Sequence, residues 1–238
     1  MNPSRANPSR ANPSRANAPR AKAAREITAG AIAIGVRLSD AQAEQLDRFA
    51  ALLTAWNDTF NLVSRGDLSR LVPRHLLDSL TLLPHLVGRR VLDVGTGAGL
   101  PGIPLAIAAP DLRFTLLDRS ERKLKLARQA AIDLRLGNVE IEQCALEAYR
   151  VTARFDTVVV RAVASPRRLW KRIDALLAPS GVALFQSVHP ETLALPLATR
   201  ATRHRVDIPS LATPHWIVVL EREPAAEACA PTPEACPR

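Results

Sequence analysis

The stretch Val91-Leu92-Asp93-Val94-Gly95-Thr96-Gly97-Ala98-Gly99-Leu100-Pro101-Gly102 constrains the fold of this chain more than any other. A short apolar run with an aspartate inside its end is followed by four glycines within eight residues, the pattern of a buried strand running into a tight loop. Glycine lacks a Cβ, so such a loop takes positive φ angles and lets a ligand rest against bare backbone. A small molecule is therefore expected at this loop.

Downstream, strand and helix patterns alternate. Arg113 to Leu117 reads as a strand ending at Asp118, and Ser120 is placed to cap a helix carrying Leu124, Ala127, Ala131 and Leu134. Val139 to Gln143 is a third strand and Thr157 to Val160, closing at Arg161, a fourth. A helix from about Ser165 to Leu177 stops before Pro179-Ser180-Gly181, and Val182 to Gln186 is a fifth strand. This alternation predicts an α/β fold with a largely parallel sheet covered by helices. Arg203 to Ile208 and Trp216 to Leu220 add a terminal antiparallel hairpin.

Upstream of the loop the pattern is helical. Ser39 is the expected N-cap of a helix with Leu46, Phe49, Ala50, Leu53 and Trp56 on one stripe, and further helix is broken near Pro73 and stopped by Pro84 and Gly88. Arg74 and Asp78 stand four apart there, which reads as a solvated helix face with one ion pair. The first 21 residues are a pentad repeat, three copies of Asn-Pro-Ser-Arg-Ala and a variant, too polar and proline-rich to fold. The expected organisation is thus an unstructured basic arm (1–26), a helical cap (27–88), a ligand-binding domain (89–222) and an unstructured tail (223–238).

The formal charge of +9 overstates the basicity of the folded part. Residues 1–25 hold six basic groups and no acid, which leaves 26 basic against 23 acidic residues downstream. Cys144, Cys229 and Cys236 have neither a disulfide-framework nor a metal-ligand spacing, and no apolar run is long enough to span a membrane. The N-terminus lacks the apolar core of a signal peptide. A cytoplasmic monomer without a metal is the simplest reading.

The loop itself admits two ligand classes. Gly97-Ala98-Gly99-Leu100-Pro101-Gly102 fits the G-x-G-x-x-G dinucleotide pattern. The wider pattern Asp93-x-Gly95-x-Gly97-x-Gly99 puts a carboxylate inside the strand end, able to accept from loop amides or from a ligand ammonium such as that of S-adenosyl-methionine. Asp118, at the end of the next strand, is placed to accept both ribose hydroxyls of an adenosine of either ligand.

Several separated motifs resemble, in order, those of the glucose-inhibited division protein B family. They are Trp56-Asn57 with Asn61-Leu62, Arg74-His75 with Leu77-Asp78-Ser79, Asp93 to Gly97, Gly99 to Pro104, Phe114 to Asp118, and Arg161-Ala162 with Ala164-Ser165. The resemblance covers roughly residues 38–222. It implies a class I methyltransferase (Rossmann-like) fold, S-adenosyl-methionine as methyl donor, and methylation of N-7 of a guanine in 16S ribosomal RNA, with that RNA or the small ribosomal subunit as partner. Carried onto this chain, the donor contacts fall on Gly95, Leu100, Leu146, Glu147 and Arg161, with Asp118 at the ribose, beside Asp93, Gly97 and Gly99 from the loop itself. Arg74, His75, Arg122, Lys123 and Arg161 are the expected RNA contacts, with further basic groups at Lys125, Arg167, Arg168, Lys171 and Arg172. The family commonly carries Lys-Gly where this chain has Gln186-Ser187, and no catalytic residue is assigned. None is needed to remove a proton, because N-7 already offers a lone pair.

Overall fold

The computed structural model describes residues 13–223 apart from 152, 162, 191–192 and 198. Seven strands form one sheet in the order β3-β2-β1-β4-β5-β7-β6: β1 (Arg90–Val94), β2 (Arg113–Asp118), β3 (Val139–Gln143), β4 (Phe155–Arg161), β5 (Leu177–Ser187), β6 (Thr199–Val206) and β7 (His215–Arg222). The first five run parallel, β7 is antiparallel to β5, and β6 pairs antiparallel with β7. The expected architecture and terminal hairpin are both present. β5 starts earlier than expected, because the turn signal Pro179-Ser180-Gly181 lies inside an irregularity between the pairs Phe155↔Leu177 and Thr157↔Val182.

Helices α1 (Pro13–Ala33), α2 (Asp40–Phe60), α3 (Gly102–Ala108), α4 (Glu121–Asp133) and α5 (Pro166–Leu176) pack around the sheet, with Leu71, Leu76, Leu77 and Leu80 buried in the segment between α2 and β1. Ser39 caps α2 in a reciprocal capping box with Gln42, as its position predicts. Leu46, Phe49 and Leu53 are fully buried from its expected stripe. Gln42 also donates from Nε2 to the carbonyls of Ile107 and Ala108, so α2 caps the C-terminus of α3.

The expected unstructured arm over 1–26 is corrected from Pro13 onward, where α1 begins. Two physical effects favour the helix, although Pro19 lies in its interior, where a proline removes an amide donor. Pro13 occupies the first helical position, where its missing N–H costs nothing, and the chain becomes alanine-rich from Ala16. The far end of α1 is anchored, since Ile27 and Ala31 are fully buried and a Cβ at Gly30 would lie 2.5 Å from the Leu77 side chain. Residues 1–12 and, beyond Glu223, the tail expected to be unstructured lie outside the described residues.

Two apolar layers sandwich the sheet. One joins Leu46, Phe49 and Leu53 of α2 to Ile103, Leu116 and Leu126, tying the N-terminal helices into the same core as the strands. The other packs Leu169, Ile173 and Leu176 of α5 on Leu92, Val158 and Ala183. No helix among the described residues is long and apolar enough to cross a membrane.

Candidate active site

The chain adds β2 and β3 on one side of β1 and then crosses to β4 on the other. In parallel sheets, ligands bind at the carboxyl ends of the strands where the order reverses in this way. Two cavities open on that edge.

The first, of about 410 Å³, is lined by Val94 and Gly95 after β1, Asp118 and Arg119 after β2, Cys144 to Glu147 after β3, and Val163, Ala164 and Arg168 beyond β4. Its glycine loop is pinned by backbone and by two carboxylates. The Gly95 and Thr96 amides donate to the Leu117 carbonyl at 2.7 and 3.1 Å. Asp118 accepts from the Gly97 N–H at 2.9 Å and, through its other oxygen, from the Ser120 N–H at 2.8 Å. Asp93 accepts from the Gly102 N–H at 2.8 Å. Gly95 has φ +71°, and a Cβ there would lie 2.5 Å from Val163 Cγ2, so a larger residue is opposed by both backbone and packing.

Asp93 does not line this cavity. It is 1% exposed beneath the loop, which it caps through the Gly102 N–H. Burial pushes its carboxyl up to about 6, against the nearby Thr96 hydroxyl and the Gly102 N–H, which pull it down. Gly99 and Leu100 also lie behind the wall, with Leu100 packed in the apolar core. Of the expected donor contacts, Gly95, Asp118, Leu146 and Glu147 line the cavity. Ser120 stands at the N-cap of α4 but makes no side-chain cap bond; Asp118, two residues earlier, takes the Ser120 amide instead.

The second cavity, of about 320 Å³, is lined by Asp67, Arg74, His75, Asp78, Arg161, Gln186, Ser187, Val188 and His215. Arg161, expected at the donor, therefore faces this side. Asp78, 4% exposed, is its hub. Its carboxylate accepts from His215 Nδ1 at 2.6 Å, Gln186 Nε2 at 3.2 Å and Arg161 Nη1 at 3.3 Å. Arg74 Nη1 lies 2.9 Å from His215 Nε2, and Arg161 Nη2 lies 3.2 Å from His75 Nδ1. Burial, reinforced by the Arg161 charge, lowers the His75 pKa to about 4.

The expected solvated Arg74–Asp78 pair is thus replaced by a buried network. Residues Val72–Leu77 wind as a π-helical turn that runs into the α turn Asp78–Leu80, so spacing by four no longer stacks side chains as an α-helix would. Arg74 turns toward Asp67, 3.7 Å away, and His215, while Asp78 turns inward. Sequence reasoning missed His215 and the role of Asp78. A signal existed: Asp78 interrupts the apolar run Leu76-Leu77-Asp78-Ser79-Leu80, and His215 opens the run Trp216 to Leu220. Gln186 fills the place where a lysine was expected and spans Asp78 and Thr81.

The other expected RNA contacts, Arg122 and Lys123, are exposed on α4, as are Lys125 on α4 and Arg167, Arg168, Lys171 and Arg172 on α5. Lys123 and Arg168 stand at the first cavity. The first opening carries Arg119, Lys123 and Arg168 beside Asp118 and Glu147, whereas Arg74 and Arg161 at the second are paired with Asp67 and Asp78.

The family model for rRNA small subunit methyltransferase G, GidB, matches residues 42–192. The chain belongs to the GidB family. A relative named ribosomal RNA small subunit methyltransferase G from Chromobacterium violaceum is 41% identical over 169 residues, covering 70% of this chain and 81% of the relative. The proteins of the same name from Methylococcus capsulatus and Coxiella burnetii are 41% and 35% identical, covering 76% and 79% of this chain and 90% and 93% of theirs. Among solved structures, the O-methyltransferase TomG from Streptomyces achromogenes, in complex with SAM, matches with a TM-score of 0.53 at 19% identity, covering 79% of this chain and 92% of its own. The N-methyltransferase NodS from Bradyrhizobium japonicum matches with a TM-score of 0.51 at 18% identity, over 76% of this chain and 99% of its own. These two likenesses establish the class I methyltransferase fold for this GidB member.

Proposed function

We propose that this GidB-family chain transfers a methyl group from S-adenosyl-methionine to N-7 of a guanine in 16S ribosomal RNA. The family supports the reaction class. The observation that carries the reading is the Asp118 carboxylate, held by the Gly97 and Ser120 amides at the wall of a cavity that Gly95 keeps free of side chain.

The cavity suits the donor. Asp118 retains lone pairs beyond those given to the two amides and accepts the ribose hydroxyls. Leu146, 9% exposed, forms an apolar wall for the adenine with Glu147 beside it. Bound there, S-adenosyl-methionine supplies an electrophilic sulfonium methyl. The protein's task is placement, because holding two reactants at attack distance supplies most of the acceleration in such a displacement. Asp67 and Asp78 put carboxylates on the acceptor side, where the product ring gains a positive charge.

The test uses small subunits purified from cells lacking the gene, incubated with labelled donor and analysed by nucleoside mass spectrometry. New 7-methylguanosine in 16S ribosomal RNA is expected, and unchanged content overturns the reading. In parallel, calorimetry with Asp118→Ala is expected to show a loss of donor affinity of roughly tenfold or more; unchanged affinity removes Asp118 from the donor site.

A further inference from the structure

The second cavity has properties that the donor site leaves unused. Its separation from the first is a single strand end: Val94 pairs with Val160, so one step further Gly95 of the donor cavity lies beside Arg161 of the acceptor side. Neighbouring strands are about 4.8 Å apart, so the two cavities open on adjacent strand ends. Val163, two residues after Arg161, already lines the donor cavity.

Hydrogen-bond direction fixes what two of its lining side chains have left to offer. Arginine only donates. Arg161 therefore makes His75 Nδ1 an acceptor, which places the hydrogen of the neutral ring on Nε2. That Nε2 is buried and has no partner in the protein. Gln186 directs its amide nitrogen at three oxygens, those of Asp78 O, Asp78 Oδ1 and Thr81 Oγ1, at 2.7, 3.2 and 3.4 Å. Its Oε1 is thereby fixed as an acceptor, and it too is buried without a partner. An unpaired donor and an unpaired acceptor are costly in a folded protein and call for an explanation.

We propose that this pocket holds the target guanine after it has left its base stack, with His75 Nε2–H donating to O6 and Gln186 Oε1 accepting from N1–H. The inference rests on the guanine reading above and names the residues that recognise the base. A flipped base is read by hydrogen bonds along its edge, and O6 with N1–H is an acceptor beside a donor, the complement of the two orphaned groups. Arg161 holds the His75 ring in direction, and Asp78 with Thr81 holds the Gln186 amide. N-7, on the opposite side of O6 from N1, remains free to take the methyl.

The test pairs donor binding with transfer for the full chain and the variants His75→Leu, His75→Gln and Gln186→Met. His75→Leu and Gln186→Met are expected to bind S-adenosyl-methionine as the parent does while kcat/KM for unmodified small subunits falls at least about tenfold. His75→Gln keeps a neutral N–H donor and is expected to recover most of the loss. Parental transfer by His75→Leu and Gln186→Met overturns the proposal. A parent that transfers no methyl to small subunits refutes the functional reading instead, so the two failures are separate. One measurement needs no variant: saturation-transfer NMR of the parent with guanosine monophosphate and with 2-aminopurine riboside monophosphate, which lacks O6 and N1–H. A signal for the guanine nucleotide alone is expected, and equal signals, or none for either, overturn the assignment.

Discussion

The two sides of the β1–β4 boundary solve the same problem with different materials. At the first cavity the glycine loop is shaped through its backbone: amides of Gly97, Gly102 and Ser120 are fixed by Asp118 and Asp93 over a span of 28 residues. At the second cavity the groups are side chains drawn from positions 74, 75, 78, 161, 186 and 215, linked directly or through one neighbour to the Asp78 carboxylate. A backbone-built loop tolerates change except at its glycines and at the carboxylates that pin it. A side-chain-built site stands or falls with its hub.

The largest expected effect is therefore at Asp78. Asp78→Ala leaves the mostly buried Arg161 guanidinium without its carboxylate and His215 Nδ1 without its acceptor, a loss of about 3–5 kcal/mol for a broken buried pair. Urea denaturation checks it. A cost below about 1 kcal/mol would mean that the network is ornamental and the comparison false.

How much of each side was legible follows from the same difference. The first cavity was readable because its parts are close in sequence and glycine advertises backbone use: Gly95 and Asp118 both line it. Even there the sequence does not say that Asp93 lies beneath the loop and outside the cavity, since a carboxylate at a strand end looks the same whether it faces the cavity or the underside of the loop. The acceptor side was not readable by periodicity. Arg74 and Asp78 have α-helical spacing, and only the π-helical turn at Val72–Leu77 reveals that they point elsewhere. His215 comes from an antiparallel strand whose position beside β5 no local pattern specifies. The sheet order was legible because alternating strands and helices permit few topologies. Helix α1 was obscured because a first-turn proline such as Pro13 is tolerated, while Pro19 sits in the helix interior against the ordinary rule.

Next in size are two opposed titrations. His75 has its pKa lowered from 6.5 to about 4, so its contribution is complete above 6.5 and is lost as pH falls toward 4. Asp93 has its pKa raised from 3.8 to about 6, so the protein is favoured below 3.8 and loses stability as pH rises toward 6. Each is worth up to roughly 3 kcal/mol. Stability of the parent minus that of His75→Gln is expected to rise with pH across this window, and that of the parent minus Asp93→Asn to fall. Slopes of the same sign would remove the contrast between the two sides.

A smaller effect is expected at Gly95. Gly95→Ala places a Cβ against Val163 at positive φ, which costs about 2 kcal/mol between strain and crowding and should appear chiefly as weaker donor binding by calorimetry. Unchanged binding would show that the loop shifts freely, contrary to a rigid backbone-built site.

The smallest effect is the sharpest test of which group fixes the donor loop. Ser120 has the residue type and position of an N-cap, and replacing such a residue with alanine ordinarily costs about 1 kcal/mol. Its hydroxyl makes no cap bond; what it contributes is its backbone N–H, donated to Asp118 at 2.8 Å. Alanine keeps that N–H. Ser120→Ala is thus expected to shift stability by less than about 0.3 kcal/mol, whereas the same change at Ser39, whose side chain accepts from the Gln42 amide in a full capping box, should cost about 1 kcal/mol. Urea midpoints of the two variants, measured side by side, decide the matter. Equal losses would mean that the α4 terminus relies on the serine hydroxyl after all, and that Asp118 is less tightly committed to the loop than its two amide bonds imply.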